Sequence, residues 1–258
     1  MPSSVVRVEG NAVHVLKNLL PESVRINAMT LGGRIPAVHR FLALHLGGRP
    51  DGLVTRGTDI CIEAPPGSGN SFMVQAFSMA NPTCNIAHHH HVPAQVWRAA
   101  RQKIPTLVIL RDPIACTLAR VPSLSHLSMI GPNLRMWLAF WTAVRPLIHR
   151  VAVITFDQLT AEPPSAITLI NDFYDTEFNS RIPPSGEVFQ AMYEYRNNQE
   201  LTQDQDLLHP NVPDPAKGSR KRAIEPHVFS HRLASHARDL YLELIDEVGA
   251  TKIAPREH

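Results

Sequence analysis

The sequence predicts an α/β fold of three layers, a central parallel sheet flanked by helices, and three observations predict it. Short apolar, β-branched runs at 58–64 (TDICIEA), 105–110 (PTLVIL) and 150–156 (RVAVITF) alternate with longer segments of helical period. Such alternation calls for parallel strands joined by helical crossovers. The run PTLVIL has no polar alternation after its threonine, which suits a strand buried on both faces. Finally, TDICIEA leads directly into a glycine turn and then a helical pattern.

The elements follow in order. Residues 38–46 (VHRFLALHL) read as a short helix closed by Gly47-Gly48. TDICIEA is the first strand, and a helix is expected over 70–80. TCNIAH, 83–88, reads as a short strand. Pro93 suits the first turn of a helix running to about residue 103. PTLVIL is the central strand, and Asp112-Pro113 opens the next helix. Over 133–149 a helix is expected, because Trp137, Phe140, Trp141 and Val144 recur at i, i+3, i+4, i+7 and form a core stripe. RVAVITF is another strand, and 164–174 and 227–248 read as helices. Residues 196–222 are polar and proline-punctuated and read as a long loop or lid. There is no internal repeat. Residues 1–57 are expected to be an N-terminal extension packing on the core, and 58–258 the main globular unit.

Bulk properties narrow the function. With 258 residues and 44% hydrophobic content, the chain can bury one sizeable core. A net charge of +2 with 19% charged residues fits neither a generic nucleic-acid binder nor a disordered chain. The first residues lack the pattern of a secretory signal, and no run reaches the roughly 18 apolar residues of a membrane span. Three widely spaced cysteines, Cys61, Cys84 and Cys116, argue against a disulfide framework. A cytoplasmic location is expected, with no membrane and no nucleic-acid partner. Oligomeric state stays open.

Two loops carry the chemistry. Ala64 to Ser71 has the spacing of a triphosphate-binding loop, A/G-x-x-x-x-G-K-S/T, except that Asn70 stands where lysine is required. Glycines let successive N–H groups turn inward, and the helix that follows adds its dipole. Ser71 is placed for a phosphate oxygen; the bland alternative is a ligand-free turn. Arg111 comes off the PTLVIL strand, where it can grip a second phosphate or pair with an acid such as Asp112. In a parallel sheet both loops lie beyond the carboxyl ends of strands, where ligands bind.

Taken together, Pro66-Gly67-Ser68-Gly69-Asn70-Ser71-Phe72, His91-Val92-Pro93 and Arg111-Asp112-Pro113 resemble the sulfotransferases that use 3′-phosphoadenosine 5′-phosphosulfate. The likeness is to the P-loop, bacterial type with P-R-S-G-N-[ST]-F and H-x-H segments. It covers about residues 58–180, including VAVITFDQLTAEPPSAITLINDFYDTEF. It implies a P-loop fold and transfer of a sulfuryl group to a hydroxyl or amine of a small-molecule or carbohydrate acceptor. No metal is implied. The resemblance assigns the glycine loop (Gly67, Ser68, Gly69, Asn70, Ser71) to the 5′-phosphosulfate. Phe72 falls beside the nucleotide and Arg111 at the 3′-phosphate. It also points to Lys217, Gly218 and Arg220 in AKGSRKR as a closing basic loop, whose alternative is a solvated surface loop. Two positions depart from the pattern. A basic residue is expected where Gly67 stands, and a serine where Ala119 stands, with Ser123 or Ser125 as possible substitutes.

Four consecutive histidines, His88 to His91, precede Pro93. Histidine suits a general base near neutral pH. The resemblance gives that role to His91, with His90 or His89 replacing it if the register slips. A metal site would need alternate histidines on one strand face; a purely structural role is the third reading. Two other functions compete with transfer: a nucleotide-binding protein without catalysis, and a P-loop kinase or hydrolase using Asp157 as its magnesium acid. A metal hydrolase built on the histidine run has the least support.

Overall fold

The computed structural model of the chain describes residues 30–45, 52–199 and 216–253. The described elements run α1 (Pro36–His45), β1 (Ile60–Glu63), α2 (Asn70–Ala80), β2 (Ile86–His88), α3 (Pro93–Arg101), β3 (Thr106–Leu110), α4 (Pro113–Arg120), α5 (Ile130–Val144), β4 (Ala152–Thr155), α6 (Phe156–Ala161), α7 (Pro164–Tyr174), α8 (Ser185–Gln199), α9 (Ala216–Phe229) and α10 (Ala234–Ile253). Short 3₁₀ segments, Leu124–Met129 and Arg145–Arg150, flank α5.

The sheet is parallel throughout, in the order β2-β1-β3-β4. Helices cover both faces, so the fold is the expected three-layer α/β arrangement. β3 explains why its sequence is apolar on both sides. Val108 and Leu110 join the core of α4, α5, α9 and α10, whereas Leu107 and Ile109 join the core of α2 and α7. The stripe on α5 is buried as its period demands, with Trp137, Phe140, Trp141 and Val144 all in the first core.

The strand order positions the site. From β1 the chain moves outward to β2, then crosses back to β3 and continues to β4. The connections leaving β1 and β3 therefore diverge, opening a crevice between their carboxyl ends. The glycine loop and Arg111 occupy those two ends.

Several boundaries differ from expectation, each for a physical reason. The helix expected over 133–149 starts earlier, at Ile130, and gives way to a 3₁₀ segment at Arg145. Pro146 lacks the N–H a continuing helix needs. RVAVITF is a strand only over Ala152–Thr155, because Thr155 and Gln158 form a capping box that turns Phe156 into the start of α6. The helix expected over 227–248 is two helices, parted between Phe229 and Ala234. The lid expected over 196–222 is helical at both ends, in α8 and α9; its middle, 200–215, lies outside the described residues. So do 1–29 and 46–51 of the expected N-terminal extension. Within that extension, Leu53 and Val54 are buried and the backbone N–H of His88 donates to the Gly52 carbonyl. No helix among the described residues is long and apolar enough to cross a membrane.

Candidate functional site

The glycine loop bends through two left-handed residues, Gly67 at φ 84° and Gly69 at φ 90°. Both glycines are also sterically required. A Cβ on Gly67 would lie 2.8 Å from the Cys116 carbonyl of α4 and 3.4 Å from the Ala119 Cβ. A Cβ on Gly69 would lie 3.0 Å from the Phe156 ring. The two departures noted in the sequence, Gly67 and Ala119, are therefore neighbours in one contact. Small residues on both sides let the loop settle onto α4.

The loop's side chains divide. Ser68 is fully buried, and its hydroxyl lies 3.3 Å from the Cys116 sulfur, beneath the loop. Burial pushes the Cys116 thiol up to about 11, so it is an inert wall. Asn70 opens α2 and is 3% exposed, yet neither atom of its carboxamide has a hydrogen-bond partner. A buried amide in that state costs on the order of 1–3 kcal/mol. Gly69, as N-cap, supplies no side-chain bond to the first turn. Unmatched amide and helix N-terminus together suit an anion. Ser71 is held 2.8 Å from His89 Nε2, and Phe72 packs against Phe189 at 5.2 Å between ring centroids.

Arg111 bridges the crevice. It donates from Nη1 to the Gly67 carbonyl, tying the β3 loop to the β1 loop, and lies 3.7 Å over the Phe156 ring. Its Nε is buried without a hydrogen-bond partner. The backbone beneath is fixed from the core, since Trp137 Nε1 donates to the Arg111 carbonyl at 3.0 Å. Asp112, an alternative partner for Arg111 in the sequence, instead caps α4 by accepting from the Ala115 N–H at 2.8 Å.

A third basic element comes from the far end of the chain. α9 packs on α4, with Ile224 and Val228 in the core. Arg220 is half-buried, and its Nε has no hydrogen-bond partner. Lys221 was not singled out by the sequence. Burial, then the charges of Arg111 and Arg220, lower its pKa. The charges of Arg111 and Arg220 thus both bear on Lys221, and an anion beside it would relieve them. Lys217 belongs to α9, but its side chain lies outside the described residues. Ser123 and Ser125 bond to each other and to His126 on the surface. Asp157 is exposed in the first turn of α6.

The histidine run splits. His90 is buried, its Nδ1 3.0 Å from Nε2 of His39 on α1. Burial, His90 and Arg98 lower the His39 pKa to about 4, so that ring is neutral at pH 7. His88, His89 and His91 stay together at the loop. His88 and His89 meet through their Nδ1 atoms at 2.5 Å, and the His89 and His91 rings are 5.6 Å apart, edge to face. His91 Nδ1 donates to the Ala64 carbonyl at 2.7 Å. In the neutral ring that bond leaves the lone pair on Nε2, the form a base requires. No group of three or more His, Cys, Asp or Glu side chains that could hold a metal occurs among the described residues.

Sequence reasoning also missed Glu63, the last residue of β1. It is fully buried, and Oε1 and Oε2 accept the backbone N–H groups of His90 and His91, both at 2.9 Å. Burial pushes the carboxyl from its ordinary 4.5 up to about 8, while hydrogen bonds from the His90, His91 and Ala64 backbone pull the other way. The folded protein thus keeps this proton to higher pH than the unfolded chain. The stability it contributes is complete below about pH 4.5 and is lost as pH rises through about 8. We expect the unfolding free energy of the wild type, relative to Glu63→Gln, to fall between pH 5 and 9 in denaturant melts, by at most about 1.4 kcal/mol per pH unit. A difference independent of pH refutes this.

No family model matches the chain, and no curated protein matches it. Among solved structures, the crystal structure of mouse sulfotransferase SULT7A1 complexed with PAP is similar at 12% identity and a TM-score of 0.40, covering 78% of this chain and 90% of that one.

Proposed function

We propose that the protein transfers a sulfuryl group from 3′-phosphoadenosine 5′-phosphosulfate to a hydroxyl or amine of a small-molecule or carbohydrate acceptor. One observation carries the reading. A glycine loop with an unmatched amide and an arginine bonded to that loop stand at the carboxyl ends of β1 and β3, and α9, packed on α4, brings Lys221 within reach of the charge of Arg111. A ligand carrying more than one anionic group suits that concentration of positive charge better than a single phosphate does.

The phosphosulfate supplies an activated sulfuryl group and a phosphate leaving group. The α2 N-terminus, with the Gly69, Asn70 and Ser71 backbone, holds the 5′ end. Ser68 takes part through its backbone, since its hydroxyl is turned to Cys116. Arg111, with Arg220 and Lys221, holds the 3′-phosphate. Lys217 and Phe72 keep the places the resemblance gives them, closing the site and flanking the nucleotide. His91 accepts the acceptor's proton at Nε2. His90 is the less suited of the two histidines, because its ring is engaged with His39. The free thiols suit a reducing cytoplasm.

Thermal shift with 3′-phosphoadenosine 5′-phosphate, run beside ATP and zinc, tests the binding half; no stabilisation at saturation overturns it. For the chemical half, His91→Gln is expected to lower transfer by about 10²–10⁴-fold with nucleotide affinity unchanged. Full transfer by that variant removes His91 from the mechanism. A second reading, nucleotide binding without catalysis, is favoured by the Gly67–Ala119 contact, which leaves no basic side chain in the loop itself. A kinase or hydrolase is disfavoured, because Asn70 replaces the loop lysine.

A further inference from the structure

We infer that Glu63 is a positioning residue, which holds the His89–His91 turn against the glycine loop and so sets the orientation of His91. The inference rests on the proposed transfer reaction only for its kinetic consequence.

The turn is unusual in its backbone. His89 and His91 both have positive φ, 61° and 56°. Residues with a Cβ seldom adopt the left-handed region; histidine does so more readily than most, but two within three residues still carry a cost. Something must therefore over-determine the turn. Glu63 is bonded to it twice, its two oxygens taking one N–H each from His90 and His91. Glu63 is completely buried, so those bonds do not compete with water.

The clamp closes on itself. Glu63 immediately precedes Ala64, and the Ala64 carbonyl accepts from His91 Nδ1. Backbone and ring of His91 are thus both referred to the end of β1, the same strand end from which the glycine loop departs. Both oxygens of a carboxyl have a lone pair to accept with, also when one of them carries the proton. Glutamine has the same shape, but its nitrogen is a donor and cannot accept the second N–H. One histidine amide would then face a donor in a dry site.

The test has three parts. In the wild type, hydrogen exchange at the His90 and His91 amides should be strongly protected; exchange at the rate of an open loop overturns the clamp without any variant. In Glu63→Gln, the imidazole nitrogen NMR signals of His91 should change from one tautomer to a mixture; an unchanged signal overturns the proposal, whether or not the protein transfers sulfate. Kinetically, Glu63→Gln should lower kcat by tenfold or more with the donor KM within about twofold. Added to His91→Gln, it should lower kcat no further. Independent, multiplying effects would show that Glu63 acts elsewhere. Absence of transfer by the wild type itself would sink the proposed reaction and leave the exchange and NMR results to decide this inference.

Discussion

Arg111→Ala is expected to weaken binding of 3′-phosphoadenosine 5′-phosphate by roughly a hundredfold or more, with the fold retained. Arg111 is half-buried at the centre of the crevice, and its Nε has no partner in the protein. Removing one partner of a hydrogen-bonded, desolvated charge pair costs about 2–5 kcal/mol. Some stability is also lost, because the bond to the Gly67 carbonyl and the contact with Phe156 disappear; about 1–2 kcal/mol covers both. Relief of the repulsion felt by Lys221 offsets part of this. Arg111→Lys should fall between, since an ammonium keeps the charge but not the planar fork. Calorimetric titration decides the matter: an affinity within threefold of the wild type for Arg111→Ala would remove Arg111 from the nucleotide site.

Gly67→Lys, which restores the basic residue the resemblance leads one to expect, should lower stability by roughly 2–4 kcal/mol and not raise transfer. Two costs add. A left-handed conformation costs a residue with a Cβ about 1–2 kcal/mol. The Cβ would also stand 2.8 Å from a backbone carbonyl on α4, which cannot swing aside as a side-chain tip could. Gly67→Ala should show most of the loss, because the obstacle is at Cβ. Thermal melts of both variants, with activity at a temperature where both are folded, measure it. A Gly67→Lys protein as stable as the wild type would mean that the loop does not rest on Cys116 as described. A faster Gly67→Lys enzyme would mean that the loop tolerates the cation it lacks.

These two predictions show how far the site was legible. The loop sequence around Ser68-Gly69-Asn70-Ser71 and the Arg-Asp-Pro segment can be read because turn residues and strand ends leave local marks. The coupling of Gly67 to Ala119 cannot, as they lie on separate elements joined only by packing. Lys221 stood in plain view beside Arg220, but helical phase decides which of the adjacent cations is turned inward, and 196–222 read as loop. Glu63 read as the polar end of a strand. Its partners are backbone N–H groups, which carry no residue-type signal at all.

The sequence by itself determined the alternation of strand and helix, the apolar central strand, the core stripe on α5 and the two loops at strand ends. These follow from periodicity and from the steric habits of glycine and proline, which act within a few residues. Only the tertiary structure decided the strand order that opens the crevice, the split of the histidines between His39 and the loop, the burial of Glu63 and the approach of α9 to Arg111. Each of these depends on contacts between residues distant in sequence, whose pairing is set by the packing of whole elements.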